Sequence, residues 1–143
     1  MLVTGAAFLD TSVLVRLFDD DEPQRQAAAR AVVGAADGPP LAVSAQVLAE
    51  FHHVVTTGLA RPLASVTARR ALADLADLHV VPTDTDLVLA AADTAAEHDL
   101  PMRDALVVEA AAAAGCARLL TEALPHGTLI RGVAAEDPGR PIP

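Results

Sequence analysis

The stretch Ala6-Ala7-Phe8-Leu9-Asp10-Thr11-Ser12 is a short apolar run that ends on an acid. A continuous apolar run of this kind predicts a strand from residue 6 to residue 9 that is buried on both faces, as the strands of parallel sheets are. In an open parallel sheet, ligands bind outside the carboxyl ends of the strands. The sequence therefore places Asp10 where such a fold builds its functional site.

The composition indicates a single domain whose core consists of small side chains. The chain has 143 residues, of which 52% are hydrophobic and 2% aromatic. This length is usual for one domain with one core, and a core of Ala, Leu and Val favours helices packed closely on a sheet. The formal net charge is −9, and every basic residue is arginine. An acidic protein must offset its charge with metal ions or clustered arginines to bind nucleic acid, so the charge argues mildly against that substrate.

The sequence disfavours proteins built on disulfides or cysteine–zinc clusters, and it disfavours secreted and membrane proteins. The single cysteine, Cys116, provides neither a disulfide framework nor a cysteine cluster for zinc. No charged leader precedes an apolar segment, and no run reaches the ~20 apolar residues that span a bilayer. We therefore expect a protein of the reducing cytoplasm that does not engage a membrane.

Predicted strands and helices alternate along the chain. The predicted strands cover residues 6–9, 41–43, 79–81, 118–120 and 128–133. The first predicted helix begins at a cap formed by Thr11 or Ser12. The next three cover residues 23–34, 45–57 and 65–78. The last two run from a cap at Asp84 or Thr85 to about residue 98, and from 103 to 115. This alternation predicts an α/β fold with a parallel sheet covered by helices on both sides.

Two further acids stand out beside Asp10. Glu50 interrupts an apolar helical pattern, and Asp104 lies in the first turn of a later helix. The helix dipole alone explains Asp104, and a solvated helix face alone explains Glu50. Three carboxylates brought together, however, remain ionised only if a cation joins them, and oxygen ligands without cysteine favour Mg²⁺ or Mn²⁺. Such an ion activates water, so the set of acids predicts phosphodiester hydrolysis.

Two arginines lie near these acids in the sequence. Arg16 lies in the predicted helix that follows Asp10, and Arg103 directly precedes Asp104. Arginine binds phosphate well, so both could steer a nucleic acid. Ordinary surface ion pairs explain them equally well, and both interpretations remain open at this point.

Three blocks of sequence carry a family resemblance. They are Phe8-Leu9-Asp10-Thr11-Ser12-Val13-Leu14-Val15, Val43-Ser44-Ala45-Gln46-Val47-Leu48-Ala49-Glu50-Phe51 and Arg103-Asp104-Ala105-Leu106-Val107-Val108-Glu109-Ala110-Ala111. In this order they resemble the acidic blocks of PIN-domain ribonucleases, in particular the VapC toxins of type II toxin–antitoxin systems. The resemblance implies a three-layer α/β/α sandwich with a central, mostly parallel sheet. We expect a PIN domain over residues 1–135 and a flexible C-terminal tail over residues 136–143.

The resemblance also implies an activity, a cofactor and partners. It implies an Mg²⁺-dependent endoribonuclease, with Mn²⁺ as the alternative ion, in which Asp10, Glu50 and Asp104 are the metal ligands and catalytic residues. Thr11 or Ser12 would supply the hydroxyl that supports the acidic pocket. The implied partners are an RNA substrate, a second copy of the chain in a homodimer, and a small cognate antitoxin whose C-terminal segment lies in the active-site groove, often placing an arginine among the acids.

One departure from the family pattern lies after the late strand. The family usually carries a fourth acid there, two residues after a Thr or Ser, and this chain has Thr121 followed by Glu122 and Ala123. Thr121 and Glu122 are candidate supporting residues, although neighbours in an extended segment face opposite ways. The alternative function is a PIN-fold module, weakly active or inactive, that binds a protein partner or RNA.

Two other α/β classes fit less well. A phosphotransferase of the haloacid-dehalogenase type has a second aspartate two residues after the first, and here that position is Ser12. A dinucleotide-binding fold has a glycine-rich turn after its first strand, and none follows Leu9 here.

The departure at Ala123 predicts a weak or absent second metal position. Ala123→Asp should raise metal-dependent RNA cleavage, because a fourth carboxylate would strengthen the binding of a second ion. The measurements are the cleavage rate and the number of ions bound per chain. Unchanged values for both would contradict this prediction.

Overall fold

The computed structural model of the protein describes residues 5–140, and its strands within that range form one sheet. The strands are β1 (Ala7–Leu9), β2 (Leu41–Ser44), β3 (His79–Val81), β4 (Arg118–Leu120), β5 (Leu129–Ile130) and β6 (Val133–Glu136). The helices are α1 (Thr11–Leu14), which continues as a 3₁₀ helix (Val15–Phe18), α2 (Pro23–Val33), α3 (Ala45–Thr57), α4 (Ser65–Leu75), α5 (Thr85–His98) and α6 (Met102–Ala113). The strand order is β3-β2-β1-β4-β6-β5, and every pair is parallel except β5 with β6. The predicted α/β fold with a mostly parallel central sheet is confirmed.

Strand β1 lies in the middle of the sheet and explains where the site forms. Ala7, Phe8 and Leu9 are all fully buried, as a continuous apolar run in a parallel sheet requires. The chain leaves β1 to build β2 and β3 on one side, and later crosses back to build β4 on the other side. The carboxyl ends of β1 and β4 therefore flank a topological switch point, the usual place for a ligand site in such folds.

The first helix begins differently from the prediction. Its N-cap is Asp10, with an extended backbone (φ −82°, ψ 158°), and not Thr11 or Ser12. The Asp10 carboxylate accepts a hydrogen bond from the Thr11 N–H (2.7 Å). Asp10 is thus the single residue between β1 and α1, and it caps the helix.

The stretch 128–133, predicted as one strand, is a hairpin. Arg131 and Gly132 both have left-handed backbones (φ 57° and 75°), and they form the tight turn between β5 and β6. Arg131 tolerates this conformation while its Nε donates to the carboxylate of Glu109 (3.0 Å). Glu109 is buried and also accepts a hydrogen bond from Thr94 (2.5 Å). The turn at Arg131 and Gly132 is therefore accompanied by a contact with Glu109, which is distant in sequence.

The other element boundaries agree closely with the predictions, except at two ends. The helix predicted to reach residue 78 ends at Leu75. Strand β6 includes Glu136, and Asp137 pairs with Arg25 (3.2 Å), so contacts with the rest of the fold continue past residue 135. The division into a domain over 1–135 and a flexible tail stays a prediction, and residues 141–143 lie outside the described range. Within residues 5–140, each helix is too short or too polar to cross a membrane.

The Ser44 cap should matter for stability. Ser44 is fully buried at the end of β2, and its Oγ accepts a hydrogen bond from the Val47 N–H (3.1 Å) at the start of α3. Ser44→Ala should lower the free energy of unfolding by about 1–2 kcal/mol, measured by urea denaturation, because the buried N–H loses its partner. Ser65→Ala, at the exposed start of α4, is the matched control and should change it by less than about 0.5 kcal/mol. Equal losses in the two variants would contradict the role of the cap.

Candidate active site

The three predicted acids come from three separate elements and meet at one side chain. Asp10 follows β1, Glu50 lies within α3, and Asp104 lies in the first turn of α6. Each carboxylate forms an ion pair with the guanidinium of Arg103. The fold therefore brings together the acids that the sequence spreads over 95 positions, from residue 10 to residue 104.

Arg103 uses all three of its nitrogen atoms in these contacts. Nη2 and Nη1 form a fork on the two oxygens of Asp10 (2.5 and 3.4 Å). Nε donates to Glu50 Oε2 (2.9 Å), and Nη1 also donates to Asp104 Oδ1 (3.0 Å). Burial lowers the pKa of Arg103, but the hydrogen bonds to the carboxylates outweigh burial and raise this pKa above its ordinary value. The guanidinium is therefore a permanent cation at the centre of the acids.

Asp10 is the buried anchor of the site. Its side chain is 0% exposed, so its charge is tolerable only if its oxygens are well paired. Oδ2 accepts hydrogen bonds from the hydroxyls of Thr121 (2.7 Å) and Ser12 (3.0 Å), and Oδ1 accepts from the Thr11 N–H (2.7 Å). Together with Arg103, these donors hold the carboxylate in one orientation.

The hydroxyls of Ser12 and Thr121 also fix the loop after β4. Ser12 Oγ accepts from the Glu122 N–H (2.9 Å), and Thr121 Oγ1 accepts from the Ala123 N–H (2.9 Å). Two of the four predicted supporting residues thus contact Asp10 through their side chains. Thr11 contributes its backbone N–H, while its hydroxyl donates weakly to the Val47 carbonyl oxygen (3.4 Å).

Glu122 does not reach the acids. Its carboxylate is bound by Arg16 (2.9 Å) and Arg25 (3.2 Å). The hydrogen bond to Glu122 raises the pKa of Arg16 despite the opposing effect of burial. The Glu122 carboxylate therefore points away from the acidic pocket, and only its backbone N–H contacts Ser12. Arg16 likewise forms a structural ion pair and does not lie free near Asp10.

A cavity of about 320 Å³ opens beside the acids. It is lined by Thr11, Ser12, Val15, Glu50, Val54, Arg103, Asp104 and Ala123. Glu50 and Val54 lie one helical turn apart on α3, so they share the face that borders this cavity. Ala123 lines the cavity at the position where the family pattern has its fourth acid.

The donor set fits a divalent ion, although the acids are not arranged around one. The donors are hard carboxylate oxygens, and they already share one cation. The buried Oε1 of Glu50 has no hydrogen-bond partner among residues 5–140, so one carboxylate oxygen remains unused. Within the described part of the chain, however, no three Asp, Glu, His or Cys residues form a ready-made metal site. The guanidinium of Arg103 takes the central position.

Sequence reasoning missed one residue and misjudged another. The Gln46 amide, in the first turn of α3, donates to the backbone carbonyl oxygen of Arg103 (3.2 Å), which ties α3 to the start of α6. Gln46 carries no sequence signal for this contact. Arg103 did carry one, because it adjoins Asp104 in a chain whose cations are all arginine. The local pattern could not show that it turns toward Asp10 and Glu50.

Comparison with known families identifies the fold. The family model of the PIN domain matches residues 7–122 of the sequence, which is most of the chain. The chain belongs to the PIN-domain family. The predicted resemblance to this family is confirmed. Comparison with curated protein sequences finds no significant match.

Several solved structures share the fold of this PIN domain. The VapC20 toxin of Mycobacterium tuberculosis, a sarcin-ricin loop cleaving toxin, is 20% identical with a TM-score of 0.64, over 79% of this chain and 86% of that one. A toxin–antitoxin complex from Klebsiella pneumoniae is 19% identical with a TM-score of 0.68, over 92% and 97%. DNA-bound VapBC from Salmonella typhimurium is 18% identical with a TM-score of 0.63, over 96% and 99%. At these identities the similarity demonstrates the fold.

The Thr121 hydroxyl should contribute measurably to stability. Thr121→Val removes a buried group that donates to Asp10 and accepts from the Ala123 N–H. The free energy of unfolding should fall by about 1–3 kcal/mol, because the fully buried carboxylate of Asp10 loses one of its hydrogen-bond donors. Thr67→Val makes the same chemical change at an exposed position of α4 and should have little effect in the same urea titration. A loss no larger than that of the control would contradict this role of Thr121.

Proposed function

We propose that the protein is an Mg²⁺-dependent endoribonuclease toxin of a VapBC-type toxin–antitoxin system. The observation that carries the proposal is the convergence of Asp10, Glu50 and Asp104 on one cation at the carboxyl edge of the sheet. Mn²⁺ is the alternative ion. In this function the three acids are both the metal ligands and the catalytic residues.

The chain's own residues supply orientation and charge. Asp10 is held by Ser12 and Thr121, so its oxygens are fixed before any ligand binds. Glu50 contributes an oxygen without a hydrogen-bond partner among the described residues, and Asp104 remains partly accessible at the start of α6. A divalent ion bound by these oxygens would lower the pKa of a water molecule and bind a phosphate oxygen. The residues around Asp10 hold its buried carboxylate next to Arg103, which lines the cavity together with Glu50 and Asp104.

The proposed substrate and partners rest on charge and on the similar structures. A chain with a net charge of −9 repels RNA, and Arg103 offsets only part of the charge of the three acids, so a bound divalent ion would help RNA to approach this site. The structurally similar VapC20 cleaves the sarcin-ricin loop, which supports RNA as the substrate class. The similar structures from Klebsiella pneumoniae and Salmonella typhimurium are a toxin–antitoxin complex and a DNA-bound VapBC, which supports a small antitoxin as partner. A homodimer and a cytoplasmic location complete the proposal.

The second candidate is a PIN-fold binding module with little or no turnover. Two observations favour it: Ala123 borders the cavity in place of an acid, and Arg103 neutralises part of the acidic cluster. Such a protein would still bind RNA or a protein partner. Retention of all three acids in contact with one cation favours the nuclease.

RNA cleavage distinguishes the two candidates. The purified, antitoxin-free protein should cleave a mixed RNA pool with Mg²⁺ or Mn²⁺ and not with EDTA. Asp104→Asn should slow cleavage by about 100-fold or more, because losing a metal ligand removes several kcal/mol of transition-state stabilisation. Asp86→Asn is the matched control, because Asp86 lies in the first turn of α5 and lines a different cavity from that of Glu50 and Asp104, so its loss should leave the rate unchanged. Folded protein that cleaves no RNA in either metal would reject the nuclease and favour the binding module.

A further inference from the structure

We infer that Arg103 is a positioning residue that competes directly with the divalent ion for Asp10, Glu50 and Asp104, so that it sets the metal concentration at which the site fills. The inference rests on the proposed function, since it concerns the metal that this function requires. It gives Arg103 a role in metal binding although Arg103 is not itself a metal ligand.

The competition follows from the atoms involved. Arg103 donates to four carboxylate oxygens: Oδ1 and Oδ2 of Asp10, Oε2 of Glu50 and Oδ1 of Asp104. Both oxygens of Asp10 accept from Arg103, so an ion held by all three acids would have to share at least one oxygen with the guanidinium. A guanidinium and a divalent ion sharing the same oxygens would lie only a few ångströms apart and repel strongly. One cation must therefore leave when the other binds.

The charge balance favours replacement of the guanidinium by a divalent ion. Three carboxylates and one guanidinium leave two negative charges uncompensated at the site. A divalent ion in place of the guanidinium would leave only one. The guanidinium is thus sufficient to hold the acids together without fully neutralising them.

The side chain of Arg103 can leave while its backbone stays in place. The side chain is 32% exposed and borders the cavity beside the acids, so it has a direct path to water. The backbone lies in α6, and its carbonyl oxygen accepts a hydrogen bond from the Gln46 amide (3.2 Å). Displacement therefore requires rotation of one side chain and no movement of the helices.

The test measures Mn²⁺ affinity by calorimetry on the full chain without RNA. Arg103→Gln should bind Mn²⁺ about tenfold more tightly or better than the unsubstituted protein, because a competing unit charge is removed from contact with the acids. Arg118→Gln is the matched control: it removes the same charge at the other end of β4, where Arg118 pairs with Glu136 (2.9 Å), and should change the affinity little. The double variant Arg103→Gln with Asp104→Asn should lose the gain, which would locate the gain at these acids.

A second readout covers the case in which Arg103→Gln folds poorly. Without the guanidinium the three carboxylates repel, so the variant should melt at a lower temperature than the unsubstituted protein in EDTA. Mn²⁺ should then raise its melting temperature more than that of the unsubstituted protein, since an ion that binds only the folded state stabilises it. Arg103→Lys keeps the charge but cannot bridge all three acids, so its Mn²⁺ affinity should be intermediate.

The outcomes separate this inference from the proposed function. Arg103→Gln that binds Mn²⁺ no more tightly than the unsubstituted protein, or binds none, would overturn the competition. The RNA assay decides the proposed function independently, because failure to cleave RNA leaves the order of the Mn²⁺ affinities unaffected. Tighter binding in Arg103→Gln without RNA cleavage would support the inference and reject the nuclease.

Discussion

The buried charge of Asp10 is the constraint around which this PIN domain is arranged. A carboxylate with 0% exposure at the end of the central strand costs several kcal/mol unless donors surround it. The fold supplies these donors from the start of α1, from the end of β4 and from α6. The carboxylate of Asp10 is therefore paired only when β4 lies beside β1 and when the start of α6 lies close to both.

Arginine is the cation used throughout the structure, and its geometry explains why. A guanidinium presents several fixed donors, so one side chain can join acids from different elements. Arg103 joins β1, α3 and α6 in this way, and Arg16 and Arg25 together hold Glu122 and Asp137 near the end of the chain. The partly buried members of these networks matter most, because fully exposed pairs contribute little to stability. In this chain of net charge −9, Arg16, Arg25 and Arg103 thus each bind two or more acids.

The binding of Arg103 to the three acids bears on whether the site can hold a metal ion. The acids that define the site are not free, because their shared cation belongs to the chain itself. Under the proposed function, the balance between Arg103 and a divalent ion would separate a working nuclease from a binding module. Ala123 lines the cavity where the family pattern has a carboxylate, so this chain has one acid fewer to offer an ion there.

The sequence was sufficient for the fold class and most element boundaries, and it singled out three acids that the fold brings together at Arg103. These features follow from local signals: a continuous apolar run marks β1, Ser44 marks a cap, and helical spacing marks α3. Residues that interact with distant parts of the chain were not predictable in the same way. The hairpin at Arg131, the capture of Glu122 by two arginines and the central place of Arg103 all depend on contacts between elements far apart in sequence. Such contacts exist only once the strands have paired, because no local pattern specifies the direction of a long side chain or the partner it meets.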